Sequence, residues 1–289
     1  MYRFPPAAAL VTAFVGISFA APLARLAGVD GFTAAWWRLM IGSFVTIVLA
    51  SWASQLPSLW LVLRGVPSGV FLALHLAFWL ESLRHMSIAS STGIVVSYPV
   101  LIGLYEAVIE RSISARGFLG VVLGFLGVAI LSTPWAGATI LGAALSFSAA
   151  VFASIYFLIG RWLRVRGATT LEYTSAAYLA AFLVLLVMIP LTGTRPWRAP
   201  SHSIPYLVLL GLVPMLMGHS MMNYALGYYP AAVVTGVALL EPYGASLLGW
   251  LLLGEKPPLA SLPGMVLSVT GAWLAVTAHQ SGRAKENRG

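Results

Sequence analysis

Cysteine is absent from the 289 residues, so disulfides and thiolate metal sites are excluded at the outset. Charge is nearly as scarce. Asp, Glu, Lys and Arg make up 8% of the chain, against about 25% in a soluble globular protein. That is too little to coat a water-facing surface, so lipid must solvate most of the exterior. Also missing are a Walker-type phosphate loop, a His-Glu-x-x-His pair, an Asp/His metal cluster and a Gly-x-Ser-x-Gly elbow. Direct ATP hydrolysis and zinc or serine hydrolase chemistry have no foothold, and no cofactor is expected. What the chain has in plenty is apolar sequence, 60% of it hydrophobic. The net charge of +8 does not point to nucleic acid. The basic residues fall between apolar runs, where they set membrane orientation, rather than on one stripe.

A membrane-spanning helix needs about 20 apolar residues. Ten such runs are legible, at about 5–27, 31–53, 66–84, 88–110, 115–133, 137–160, 170–191, 203–226, 230–253 and 259–279. The first is read as a span rather than a cleaved leader, although Ser18-Phe19-Ala20 resembles a cleavage site. Short connections make consecutive helices antiparallel neighbours. Pro57, Pro67, Pro134, Pro196, Pro200, Pro230, Pro257 and Pro258 fall at or near span ends, where a missing N–H matters least. Residues 280–289 read as a disordered tail.

Ten spans put both termini on one side. With the termini inside, ten basic residues lie inside (Arg3, Arg64, Arg111, Arg116, Arg161, Arg164, Arg166, Arg283, Lys285, Arg288) and six outside (Arg25, Arg38, Arg84, Arg195, Arg198, Lys256). The bias predicts cytoplasmic termini and a multi-pass protein of the cell inner membrane.

The second half echoes the first. At a shift of 143 positions Leu83 meets Leu226, Thr92 meets Thr235, Gly93 meets Gly236 and Pro99 meets Pro242. With small changes of register, Glu110-Arg111 meets Glu255-Lys256, Gly120 meets Gly264 and Gly127 meets Gly271. The implied units are 1–135 and 136–279. Each holds five spans, an odd number, so the second copy must be inverted. Inverted repeats around a shared site are how many secondary transporters alternate access.

At these residues the chain resembles the EamA-type drug/metabolite transporters. The resemblance rests on Leu83 to Ser91, Pro99 and Glu110-Arg111. It rests equally on Gly218-His219, Asn223 to Leu226, Pro230-Ala231, Glu241-Pro242 and Leu253 to Lys256, with Arg38 near the start of the second span. It covers nearly the whole chain and implies a ten-helix, two-repeat carrier, usually an exporter of amino acids, metabolites or drugs. The expected partners are a small-molecule substrate, protons as a candidate coupling ion, and membrane lipid. Ten helices can enclose one pathway, so a monomer is expected. An intramembrane enzyme acting on a lipid or isoprenoid, or a membrane sensor, is the alternative.

Candidate site residues emerge from polarity inside spans. Pro99 and Pro242 are mid-span hinges, whose freed carbonyls must face protein or a wet cavity. Glu241, next to Pro242, must be protonated, paired or wetted, because a carboxylate at the bilayer centre costs roughly 3 kcal/mol. It is expected to bind a proton or a cationic part of the substrate, or to pair with an arginine. His75 and Trp79 are four apart on one face, as are His219 and Asn223. With Tyr98 and Tyr224 they complete the predicted substrate contacts. Glu81 should pair with Arg84 and His85. Glu106 and Glu110, followed by Arg111 and Arg116, suggest an electrostatic latch with Glu255-Lys256 as its outer counterpart. Hence Glu110, Arg111, Glu255 and Lys256 are gate candidates. Arg38 either snorkels or holds a carboxylate bidentately, with a structural role preferred. Gly120-x-x-x-Gly124 and Gly142-x-x-x-Ser146 read as helix-packing seams.

Overall fold

The computed structural model describes residues 4–131, 139–256 and 261–286. Pro134, Pro257, Pro258, Arg3, Arg288 and the last residues of the predicted tail lie outside them, as do the side chains of Arg283 and Lys285. Among the described residues every regular element is helical. Eight helices are long and apolar enough to cross a membrane: α1 (Pro6–Ala27), α2 (Gly31–Trp52), α3 (Leu59–Ser82), α4 (Ile88–Glu110), α6 (Ile140–Val165), α7 (Thr170–Thr192), α8 (Ser201–Ala225) and α9 (Ala231–Leu253). The runs expected at 115–133 and 259–279 are α5 (Ala115–Leu131) and α10 (Ser261–Glu286), whose apolar stretches are shorter. α10 continues to Glu286, through the first residues of the polar tail.

Local chemistry sets the helix ends. Asp30 accepts from the Thr33 amide at 2.8 Å and starts α2. Gly28, left-handed at φ 63°, ends α1 two residues earlier. Thr169 and Glu172 form a reciprocal capping box at α7. Elsewhere Ser58, Ser87 and Thr139 each accept an amide hydrogen bond in the first turn of α3, α4 and α6.

The exterior is apolar: Phe44, Val187, Leu191 and Leu251 are mostly exposed. The interior is small and polar by comparison. Ser82, Ser91 and Ser146 hydrogen-bond one another across α3, α4 and α6, and Ser68 bonds Tyr173 at 2.6 Å. This is the distribution of a chain solvated by lipid, where interhelical association depends on close packing and hydrogen bonds.

The Gly120 seam is realised between α5 and α10. A Cβ on Gly120 would lie 2.6 Å from the Gly271 carbonyl, and one on Gly127 would lie 2.3 Å from that of Gly264. The two backbones touch where the side chains are missing. Gly142 and Ser146 are a seam of α6 instead, against His85 and Met86 and against Ser82.

Two helices are interrupted at mid-length. α4 is helical over Ile88–Val95, breaks at Val96 and Ser97, and restarts over Tyr98–Tyr105 before a π-helical turn, Glu106–Glu110. α9 runs Ala231–Gly236, tightens to a 3-10 segment over Val237–Leu240, and restarts over Glu241–Leu253. Pro99 and Pro242 each occupy the second position of the restarted half, where a missing N–H is harmless. The first half of each helix packs on the second half of the other.

Candidate functional site

The breaks in α4 and α9 meet a cavity at the centre of the bundle. Ile17 and Ala20 of α1, Arg38 of α2, His75 and Trp79 of α3, Val95 and Tyr98 of α4, His219 of α8 and Glu241 of α9 line it. Five of the seven predicted substrate contacts are therefore brought together, from four helices. The two imidazoles lie 6.0 Å apart, centroid to centroid. His75 stacks parallel to Trp79 at 6.3 Å and meets Tyr98 edge-on at 6.4 Å. Phe157 backs the wall, stacked on Tyr98 at 5.6 Å and on His219 at 5.9 Å. The Nδ1 of His75 donates to the Ala149 carbonyl at 2.9 Å. In a neutral ring that leaves Nε2 an acceptor.

Arg38, for which the sequence favoured a structural role, lines the same cavity. It is 1% exposed. One guanidinium nitrogen donates to the Pro214 carbonyl at 3.3 Å, while Nε and Nη1 have no partner among the described residues. Glu241 shares the cavity, but no ion pair within 4.0 Å joins the two. The Trp79 indole N–H and His219 Nδ1 are likewise unpartnered. Buried polar groups in native proteins are nearly all satisfied. Here a cluster of open hydrogen-bonding groups stands opposite a carboxylate. An arginine inside a span is expected to face the bundle interior, as Arg38 does.

Asn223 and Tyr224 are not in the cavity. Asn223 is fully buried and donates to the hydroxyls of Tyr156 at 2.6 Å and Tyr178 at 3.1 Å. Tyr224 donates to the Phe4 carbonyl at 2.6 Å, at the edge of the fold. The four-residue spacing from His219 keeps one face only in an α-helix, and α8 is π-helical over Gly211–Ser220. The wider π turn changes the facing of the residues after it.

The gate candidates also sort differently from their sequence pairing. Glu106 is fully buried and accepts from the amides of Ala231 at 2.6 Å and Ala232 at 2.9 Å, the N-terminus of α9. It thus ties the end of α4 to the start of α9. Beside it Arg161 donates to the Leu226 carbonyl, and Arg164 to those of Asn223 and Ala168. Glu110 and Arg111 are exposed just beyond, with Arg111 left-handed at φ 54°. At the opposite end Glu255 pairs with Arg25 at 3.7 Å rather than with the exposed Lys256, and Arg25 also donates to the Met86 carbonyl at 2.5 Å. Glu81 pairs with Arg84 at 2.9 Å and with His85 at 3.5 Å, and accepts from the Gly31 amide at 2.8 Å.

Residues 140–277 match the EamA-like transporter family. The second half of the chain thus matches that family, and the chain is a membrane transporter. Its curated relatives agree. An uncharacterized transporter, YdfC, of Bacillus subtilis is 26% identical over 85% of this chain and 82% of its own length. A "probable terminal-alkyne amino-acid exporter" of Streptantibioticus cattleyicolor is 27% identical over 70% of this chain and 68% of its own. A protein of known crystal structure superposes with a TM-score of 0.74 over 93% of this chain and 96% of its own, at 20% identity, which establishes a shared fold. The chain is accordingly a transporter and not an enzyme.

Proposed function

We propose that the chain is a secondary exporter of small zwitterionic or amphipathic metabolites, amino acids foremost, working by alternating access. The observation that carries the substrate class is Arg38 facing Glu241 across a buried, aromatic-walled cavity without touching it. A guanidinium with two open donors suits a carboxylate. A carboxylate opposite suits an ammonium group or a proton. Trp79, Tyr98 and the two histidines supply flat apolar walls and hydrogen-bonding edges for the rest of the molecule. The amino-acid exporter among the relatives supports the same class.

The cavity is about 10 Å³, room for about one water. Ligand sites run to roughly 300–1,000 Å³, so this conformation is closed around its site and must open to load. Two latches are arranged to open in turn: Glu106 on the α9 amides at one end, Arg25 with Glu255 at the other.

Ten helices in two inverted repeats of five suit this cycle. Gly120 touches Gly271 and Gly127 approaches Gly264, whereas the sequence repeat aligns Gly120 with Gly264 and Gly127 with Gly271. That exchange of partners is what a two-fold relation requires. The antiparallel direction of the seam is consistent with an inverted repeat, whose axis would lie in the membrane plane. The basic-residue bias supports cytoplasmic termini, and ten helices are enough to enclose a pathway within one chain.

The test is flux of labelled amino acids and small metabolites in proteoliposomes, with and without a pH gradient. Saturable flux of a zwitterion, lost in Arg38→Met and Glu241→Gln, is the expected result. Saturable flux of neutral compounds alone, indifferent to both substitutions, would overturn the assignment of the site.

A further inference from the structure

A second cleft lies away from the central cavity, at the end of the bundle that carries Glu106. It has about 340 Å³ of space and is lined by Arg64 and Pro67 of α3, Tyr105 and Glu110 of α4, and Leu158, Ile159 and Trp162 of α6. It shares no residue with the central cavity. Its composition changes along the helix axes. Arg64 is in the first turns of α3, Glu110 ends α4, and Trp162 is in the last turn of α6, so charge and indole sit together at one level. Pro67, Tyr105, Leu158 and Ile159 lie one turn deeper and are apolar, Tyr105 through its ring.

The upper level is built for a headgroup. The Arg64 guanidinium lies over Trp60 at 5.1 Å and over Trp162 at 5.5 Å, and the two indoles are stacked at 6.4 Å. Arg166 covers Trp162 at 4.2 Å. Tryptophan and arginine at a helix end mark the level of lipid headgroups. Arg64 and Glu110 line the same cleft yet form no ion pair within 4.0 Å. Neighbouring Arg164 is spent on backbone carbonyls, whereas among the described residues Arg64 makes ring contacts alone. A slot with one cation, one anion and an apolar floor complements a molecule with a phosphate, an ammonium and an acyl chain.

We infer that this cleft binds a zwitterionic phospholipid bearing a primary amine, its phosphate on Arg64, its ammonium on Glu110, and an acyl chain along Pro67, Leu158 and Ile159. Basic clefts between helix ends bind lipid headgroups through the same contacts. The carboxylate is what sets this one apart. Glu110 repels a purely anionic headgroup, and a quaternary amine has no N–H to donate to it.

Native mass spectrometry of the purified full chain with added phosphatidylethanolamine, phosphatidylcholine or phosphatidylglycerol tests this directly. The expected order of retention is ethanolamine first. Arg64→Ala should weaken retention of all three lipids about tenfold, the loss of one charge-assisted contact. Glu110→Gln should leave binding in place but erase the preference for ethanolamine over glycerol. Both side chains are exposed, and an unchanged melting temperature in detergent checks that each variant folds. Arg64→Lys, which keeps the charge but not the planar fork, should fall between wild type and Arg64→Ala. Equal retention of the three lipids by the wild type, or retention indifferent to Arg64→Ala, overturns the proposal. Neither readout depends on transport.

Discussion

α4 and α9 are the same device built twice with different chemistry at the break. Each is interrupted mid-length, and each restarts with a residue followed by proline. In α9 the restarting residue is Glu241, held at the positive end of a half-helix and facing Arg38 across the cavity. In α4 it is Tyr98, which stacks on Phe157 and meets His75 edge-on. The backbone interruption is thus a property of both helices, and the charge belongs to one. A broken helix aims a helix terminus and freed carbonyls at a cavity whatever side chain stands there. The acid in α9 adds a carboxylate to that common frame, the proposed site for a cation or a proton.

The comparison is broken most severely by neutralising the one charged member. Glu241→Gln should abolish flux, by about a hundredfold or more, because it removes the carboxylate proposed to hold the ammonium group or proton opposite Arg38. Arg38→Met should do the same to flux. The double variant Arg38→Met with Glu241→Met should recover thermal stability in detergent without recovering transport. That outcome separates a binding pair from a structural one.

Glu106 ranks next, since it belongs to α4 and grips the start of α9. Glu106→Gln keeps one amide contact through its carbonyl oxygen and sets an NH2 donor against the other N–H, a loss of about 1–3 kcal/mol. Single-cysteine labelling at that end, in a chain that has no cysteine of its own, should rise while labelling at the Arg25–Glu255 end stays the same. Pro242→Ala and Pro99→Ala sharpen the comparison further. Each allows a continuous α-helix to form, and each should slow flux about tenfold by opposing the bend, to the same degree in both helices. Tyr98→Phe should have the smallest effect, under about threefold, since the ring contacts remain and only a hydroxyl is lost. A large loss there would mean that the two breaks are chemically equivalent after all.

Much of this was legible in the residues. Hydropathy located the eight long spans, because a run solvated by lipid has to be apolar almost throughout. The prolines marked both breaks. His75, Trp79, Tyr98, His219 and Glu241 were legible as interior groups, because polarity inside a span must be turned from lipid. Three things were not. Arg38 read as a helix-end residue although its span was placed correctly, since position along one helix does not say which neighbours close over that turn. Glu106 read as half of a charge pair, and its true partners are backbone amides, which have no side-chain signature. Asn223 read as a cavity residue by its spacing from His219, and the π-helical stretch of α8 turned it toward two tyrosine hydroxyls instead.

The amino-acid sequence by itself determined that this chain lives in lipid, that it is helical, that two of its helices are interrupted, and which polar groups must hide inside. Those are consequences of local composition and of proline's missing N–H, and neither needs a partner to act. Only the tertiary structure decided that Arg38 confronts Glu241, that Glu106 holds α9 by its amides, and that α5 and α10 touch backbone to backbone. Each of these joins residues far apart in the chain. Their pairing is set by how helices close on one another, a choice that short-range chemistry leaves open.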